Sequence, residues 1–217
     1  MVRLRAEPED FRVDEIPLYA PTGQGAHTFV RVEKRLRNTE ELARDLARAA
    51  GAPPRDVGYA GRKDRRAVTT QWLSVPGLDP ERALRLDLPG ARVLEAARHP
   101  HKLRTGQLRG NRFEIVARGV DAEAAASAAA RLEVLCARGM PNRFGAQRFG
   151  REGDNAQRAL RVLRGERQGG GRRAARFLLS ALQAAVFNAV LARRPLPLQV
   201  LERGDIAVRH ASGGLFL

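Results

Sequence analysis

The sequence predicts an α+β fold. Two observations carry that expectation. Alternating, strand-like stretches and helix-periodic stretches both occur, and they are mixed without a regular strand–helix–strand repeat. Hydrophobic residues make up 43% of 217 residues, enough for a packed core. In chain order, FRVDEIPL (11–18) alternates like a strand, and Pro21 to Gly25 reads as a turn. HTFVRVEKR (27–35) is a second strand, with Phe29, Arg31 and Glu33 on one face. Asn38 with Glu41 three residues on resembles a capping box, and Leu42 and Leu46 give the apolar stripe of a helix ending near Gly51. VGYA (57–60) is short and apolar. A charged turn, 61–66, leads into the strand AVTTQWLSV (67–75), and 78–90 reads as a loop. RVLEAARH (92–99) and NRFEIVAR (111–118) are further strands. Asp121 opens an alanine-rich helix running to about Arg138, with Gly139 as its stop. An arginine-rich loop (141–150), a helix near 154–164, a glycine-rich stretch and a long helix over 172–193 follow, with Pro195 and Pro197 ending the last. The final twenty residues read as two short strands.

The charge narrows the function. There are 39 Lys+Arg against 24 Asp+Glu, a net charge of +15, and only Lys34, Lys63 and Lys102 are lysines. Arginine and alanine richness by itself reflects little more than codon bias. The distribution says more: Arg138 to Arg176 holds eleven arginines and only three acids, Glu152, Asp154 and Glu166. A field of that size favours a polyanion, and arginine both forks onto phosphate oxygens and stacks on bases. RNA is the partner class expected from charge. No run of 18 apolar residues occurs, so no membrane span is expected, and MVRLRAEPEDFRVDE lacks the apolar segment of a secretory signal. The single Cys136 excludes a disulfide framework and a zinc site of the usual cysteine spacing, and points to the cytoplasm. The four histidines, His27, His99, His101 and His210, carry no metal-binding spacing, and Gly169–Gly171 lacks the Lys-Ser/Thr ending of a phosphate-binding loop.

Few residues stand out for chemistry. Asp64 sits in a turn among Arg62, Lys63, Arg65 and Arg66. Such a carboxylate is either a nucleophile or base beside a phosphate-binding surface, or a surface ion-pair partner, which is the commoner case. Phe113 could stack on a base, although an aromatic on an alternating strand is usually core. Asn111 suits a uracil edge or a turn. Phe144 and Phe149, interleaved with Arg143 and Arg148, form either a stacking platform or an anchor to the core.

Read as strings, the same segments resemble the TruD family of tRNA pseudouridine synthases. The resemblance rests on Glu9-Asp10-Phe11-Arg12-Val13-Asp14-Glu15, on Gly58-Tyr59-Ala60-Gly61-Arg62-Lys63-Asp64, on Lys102-Leu103-Arg104-Thr105-Gly106 leading to Gly110-Asn111-Arg112-Phe113, and on Pro141-Asn142-Arg143-Phe144-Gly145-Ala146-Gln147-Arg148-Phe149-Gly150. Val186-Phe187-Asn188 and Gly204-Asp205 continue it in order. The resemblance implies isomerisation of uridine to pseudouridine at position 13 of tRNA, with no cofactor and no metal; tRNA is the partner, no protein partner is implied, and a monomer is expected. It implies a catalytic domain built on a mixed, largely antiparallel sheet, begun by residues 1–138, with a family-specific second domain begun by 139–217. Asp64 maps to the catalytic nucleophile, Phe11 and Asn111 to uridine contacts, and Phe113 to a position beside them. Arg143, Arg148 and Arg151 are the expected RNA contacts in the arginine-rich loop. Family members run beyond 217 residues, so the chain is expected to end inside the second domain with an incomplete cleft. The alternative reading is a non-catalytic tRNA-binding remnant of the enzyme.

Overall fold

The computed structural model describes residues 2–166, 169–195, 197–209 and 211–216. Arg167 of the basic segment and His210 lie outside the described residues. The chain packs as two compact units, Met1–Asp121 and Ala122–Leu217. The alanine-rich helix, none of whose residues is buried, falls in the second of these units.

The first unit is built on a six-stranded sheet. Its strands are β2 (Phe11–Pro17), β3 (His27–Arg35), the short β4 (Gly58–Tyr59), β5 (Val68–Pro76), β6 (Ala91–His99) and β7 (Leu108–Ile115), in the order β6-β3-β5-β2-β7 with β4 on β5. Only β2 and β5 run parallel, so the sheet is mixed and largely antiparallel, as expected. Helix α1 (Thr39–Ala50) begins at Asn38, where the expected capping box forms with Glu41, and ends at Gly51, whose φ of +65° suits a residue without a Cβ. Its Leu42 and Leu46 are fully buried against Val30, Val32, Leu73 and Val75. Each such leucine contributes about 1.5–3 kcal/mol of burial, which fixes α1 on one face of the sheet.

Two local expectations are corrected. The stretch 78–90 is not all loop: Asp79 accepts the Arg82 N–H and Pro80 fills the first position of a short helix, α2 (Pro80–Leu84). Residues 111–118 are not one strand. The Val116 N–H turns to the Asp10 carbonyl at 2.8 Å, so β7 stops at Ile115 and Ala117–Arg118 forms a separate β8. Its partner is β1 (Arg3–Leu4), too short to read from sequence, and the buried Asp10 carboxylate locks the junction through Arg118 at 2.9 Å.

In the second unit, α3 (Ala122–Arg138) ends at Gly139, α4 (Asn155–Leu163) packs on α5 (Gly171–Arg193), and β9 (Ala207–Val208) pairs with β10 (Leu215–Phe216). Ala159, Leu178, Ala181 and Ala184 form the buried seam. By length and composition, Ala174–Arg193 is long and apolar enough to cross a membrane. Counting consecutive apolar residues misses it because Arg176, Ser180, Gln183 and Asn188 interrupt the run. Asn188, however, is tied to the arginine-rich loop by two bonds, with the Phe144 N–H at 3.0 Å and the Phe144 carbonyl at 2.9 Å.

Candidate active site

Register assembles the site from β2, β5, β7 and the 61–66 turn. Side chains alternate along β2, so Phe11, Val13 and Glu15 share the sheet face that carries α1. Antiparallel pairing sets Ile115, Phe113 and Asn111 beside them in turn. Three of the four expected residues, Phe11, Phe113 and Asn111, therefore meet on two neighbouring strands. The Phe11 and Phe113 rings lie 5.9 Å apart. Phe11 is buried, but Phe113 is 57% exposed because β7 is the edge of the sheet, so the usual core role of a strand aromatic does not hold here.

Beside Asn111 stands a buried ion pair. Lys63 Nζ is 2.6 Å from Glu15 Oε2, with both side chains almost fully enclosed. The same ammonium donates to Asn111 Oδ1 at 2.7 Å. An ammonium offers only donors, so the amide oxygen must face it and the Asn111 NH₂ remains to meet an acceptor elsewhere. Glu15 Oε1 in turn accepts the Trp72 N–H at 3.1 Å.

The turn bearing Asp64 is held through its backbone. Thr39 Oγ1, at the start of α1, donates to Gln71 Oε1 at 2.8 Å and accepts the Lys63 N–H at 3.0 Å. Lys34 is only 1% exposed and donates to the carbonyls of Arg37 at 2.8 Å, Asp64 at 2.9 Å and Lys63 at 3.4 Å. Burial is the main reason its ammonium is depressed to about 8, against a smaller opposing pull from Asp64. Gly58 is required where the turn approaches: a Cβ there would lie 2.1 Å from the Leu103 carbonyl. The Leu103 N–H bonds Ser74 Oγ at 2.8 Å, and the Gly106 N–H bonds the Ala60 carbonyl at 2.8 Å, so the Lys102–Gly106 string braces the turn from its other side.

Asp64 itself projects outward, with 55% of its side chain exposed. Its observed partner is not one of the cations that flank it in sequence. Arg62 pairs with Glu40 at 2.5 Å, and Arg65 donates to the Leu36 carbonyl at 3.2 Å. Arg5, 59 residues away, donates to Asp64 Oδ2 at 3.3 Å, and its guanidinium lies 3.7 Å from the Phe11 ring centroid. Arg5 thus bridges the carboxylate and the aromatic surface. Residue reasoning missed Arg5, Glu15, Lys34, Lys63 and Thr39. A signal existed for two of them: Glu15 falls in phase with Phe11 and Val13, and Lys34 with Val30 and Val32, so each places a charge on an apolar face where it needs a partner.

In the second unit, the arginine-rich loop is anchored rather than free. Phe144 packs edge-on against Phe187 of α5 at 5.6 Å, and Arg148 lies over the Phe144 ring at 5.3 Å. Arg143 and Arg151 are exposed, whereas Arg148 is half-buried.

Comparison with known proteins identifies the family. The family model for tRNA pseudouridine synthase D (TruD) matches residues 1–169. A tRNA pseudouridine synthase D of Anaeromyxobacter sp. is 49% identical over 98% of this chain and 62% of its own length, and that of Thermus thermophilus is 41% identical over 99% of this chain and 61% of its own. A crystal structure described as a putative tRNA pseudouridine synthase D from Methanosarcina mazei superposes with a TM-score of 0.62 at 26% identity, covering 89% of this chain and 52% of that one. The chain therefore spans about 62% of the length of these curated relatives. With the match running through the strands and the turn that gather Asp64, Phe11 and Asn111, the chain belongs to the TruD family of tRNA pseudouridine synthases.

Proposed function

We propose that this protein isomerises uridine to pseudouridine in tRNA, at position 13, with Asp64 as the catalytic carboxylate. The observation that carries the proposal is the convergence, in a family member, of an exposed carboxylate, a two-ring aromatic surface and an amide whose donor end is turned away from its lysine. A target base must leave the helical stack, and it then needs an aromatic surface and polar contacts for its edge. Phe11 and Phe113 supply the first. Asn111, oriented by Lys63, supplies a donor for a uracil carbonyl. The isomerisation breaks the bond from C1′ to N1, forms one from C1′ to C5, and exchanges the C5 proton for one on N1, so the base is conserved atom for atom. Asp64 would attack the sugar or the ring or take a proton, and the bonds of Lys34 and Thr39 with the backbone of its turn support that role by fixing where the turn sits. Arg5, bonded to Asp64 over the Phe11 ring, must yield the ring face to the incoming base. The protein is expected to act as a monomer in the cytoplasm, where the exposed thiol of Cys136 stays reduced.

Incubating the protein with unmodified tRNA and mapping pseudouridine by carbodiimide treatment and primer extension tests the reading. A stop specific to position 13 is expected. Salt-dependent tRNA binding with no pseudouridine formed would favour the non-catalytic tRNA-binding reading instead.

Lys34 gives a pH expectation. Its ammonium donates to three carbonyls, and a neutral amine has too few hydrogens to serve all three. Turnover should fall as pH rises through about 8. Stability should move the other way. With a folded value below the ordinary lysine value, the unfolded chain binds more protons between the two, so this group adds stability as pH rises across that window. Activity and thermal denaturation followed together from about pH 7 to about pH 9.5 check it, and a loss of both in step would assign the decline to unfolding.

The arginine-rich loop is expected to supply much of the RNA affinity. Replacing Arg143, Arg148 and Arg151 together should weaken tRNA binding and flatten the dependence of log K on log salt by about 2, at about 0.7–0.9 for each phosphate that the variant no longer neutralises. An unchanged slope in filter binding would show that these side chains serve only the loop's own packing.

A further inference from the structure

The sheet carries a second cluster of polar side chains at the far end of β3, on the face opposite Lys34 and Glu15. His27 and His99 are cross-strand partners on β3 and β6, and His27 alternates in phase with Phe29 rather than with Val30 and Lys34. Together with Tyr19, His101, Lys102 and Arg104 they line a cavity of about 540 Å³. Tyr19 stacks on the His99 ring at 5.1 Å and 15°, and Phe29 backs the same ring at 4.3 Å, so the imidazole is rigidly presented. His99 is only 7% exposed, and the buried Nδ1 atoms of His99 and His27 have no hydrogen-bond partner among the described residues. Native structures rarely leave such atoms unmet, which points to a ligand at this place.

The chemistry of that ligand follows from the lining. Among the described residues no carboxylate borders the cavity, while Lys102 and Arg104 bring two positive charges and the histidines bring N–H donors. Nor does any group of three described His, Cys, Asp or Glu side chains converge as a metal site, so the imidazoles are not arranged as ligands to a cation. Burial holds His27 and His99 below the ordinary histidine range, so near neutral pH each is an uncharged ring with one N–H to donate rather than a further cation. Lys102 is already bonded to the Arg55 carbonyl at 2.5 Å, which fixes its charge at the rim, whereas His101 and Arg104 are exposed and able to reorient. Cations beside neutral imidazole donors suit a phosphate group.

We infer that the His27–His99 cavity is a phosphate subsite for the RNA backbone, separate from the Asp64 site and on the opposite face of the sheet. The inference rests on the RNA-modifying reading above. In the complex, a phosphodiester oxygen accepts an N–H from the imidazole edges that line the cavity while Arg104 and His101 close over it. The isomerisation does not need this site to make or break a bond; it adds grip on a part of the tRNA remote from the target uridine.

The test combines binding and spectroscopy. The double variant His101→Ala/Arg104→Gln changes two exposed side chains and leaves His27, His99 and the β6–β7 backbone in place. Filter binding of unmodified tRNA over a range of salt should show about 10-fold weaker affinity at about 0.1 M salt and a slope shallower by about 1. In the wild-type protein, imidazole NMR signals of His27 and His99 should shift on adding tRNA. Unchanged affinity and slope in the double variant, with wild type still binding tRNA in a salt-dependent way, would overturn the subsite and leave the RNA reading standing. Histidine shifts caused by millimolar inorganic phosphate but not by tRNA would overturn the RNA assignment in favour of a free-phosphate site. Wild-type protein that fails to bind tRNA at low salt would remove the RNA reading itself, and this inference with it.

Discussion

Asp64→Asn is expected to lower pseudouridine formation by at least about 10⁴-fold, the scale of losing a nucleophile or its equivalent, while tRNA affinity stays within a few-fold of wild type. The change keeps shape and removes charge. It should not disturb the fold, because the turn is fixed by bonds from Lys34 and Thr39 to backbone atoms and not through the carboxylate. More than half of the side chain faces solvent, so the amide meets no desolvation penalty. Arg5 keeps an amide oxygen to donate to. Single-turnover assays on tRNA with a parallel binding measurement check the result. Measurable turnover by an Asp64→Asn preparation free of wild-type enzyme would remove Asp64 from the mechanism.

Lys63→Met should give the largest loss of stability, about 3–5 kcal/mol, because it leaves the Glu15 carboxylate buried without its cation. It should also impair turnover, since the Asn111 oxygen loses the donor that sets the amide's orientation. Adding Glu15→Gln separates the two effects. With neither charge present, the desolvation cost disappears, and the glutamine oxygen still accepts the Trp72 N–H; stability should recover by a few kcal/mol, on the order of the original loss. Activity should not recover, because Asn111 is still free to turn. Urea denaturation and steady-state kinetics on the single and double variants decide it. Recovery of both together would make the pair structural and nothing more.

Much of the fold is legible in local sequence. The α1 capping box, its Leu42 and Leu46 stripe, the alternation along 11–18 and 27–35, and the glycine that stops α3 are local signals, and each set its element directly. Such signals depend on residues within a turn or two of one another, so the chain carries them wherever it folds. Phe11, Asp64 and Asn111 were legible only as parts of strings, since a lone Asp among arginines or an Asn after a glycine has commoner uses.

Register and long-range pairing decided the rest. That Phe11, Phe113 and Asn111 share a face follows from the antiparallel register of β2 and β7, and a slip of one residue would have turned the β7 pair away from Phe11. Position at a sheet edge, not residue type, exposed Phe113. Asp64 took its cation from Arg5 instead of its four basic neighbours, because β1, paired with β8, carries the chain past the turn while Arg62 and Arg65 are held by Glu40 and the Leu36 carbonyl. Lys34 and Lys63 look alike in sequence, two of three lysines in an arginine-rich chain. One became a clamp on backbone carbonyls and the other the centre of a buried ion pair, for a physical reason that only the packed sheet supplies: a charge withdrawn from water must take whatever partners its strand or turn brings within reach.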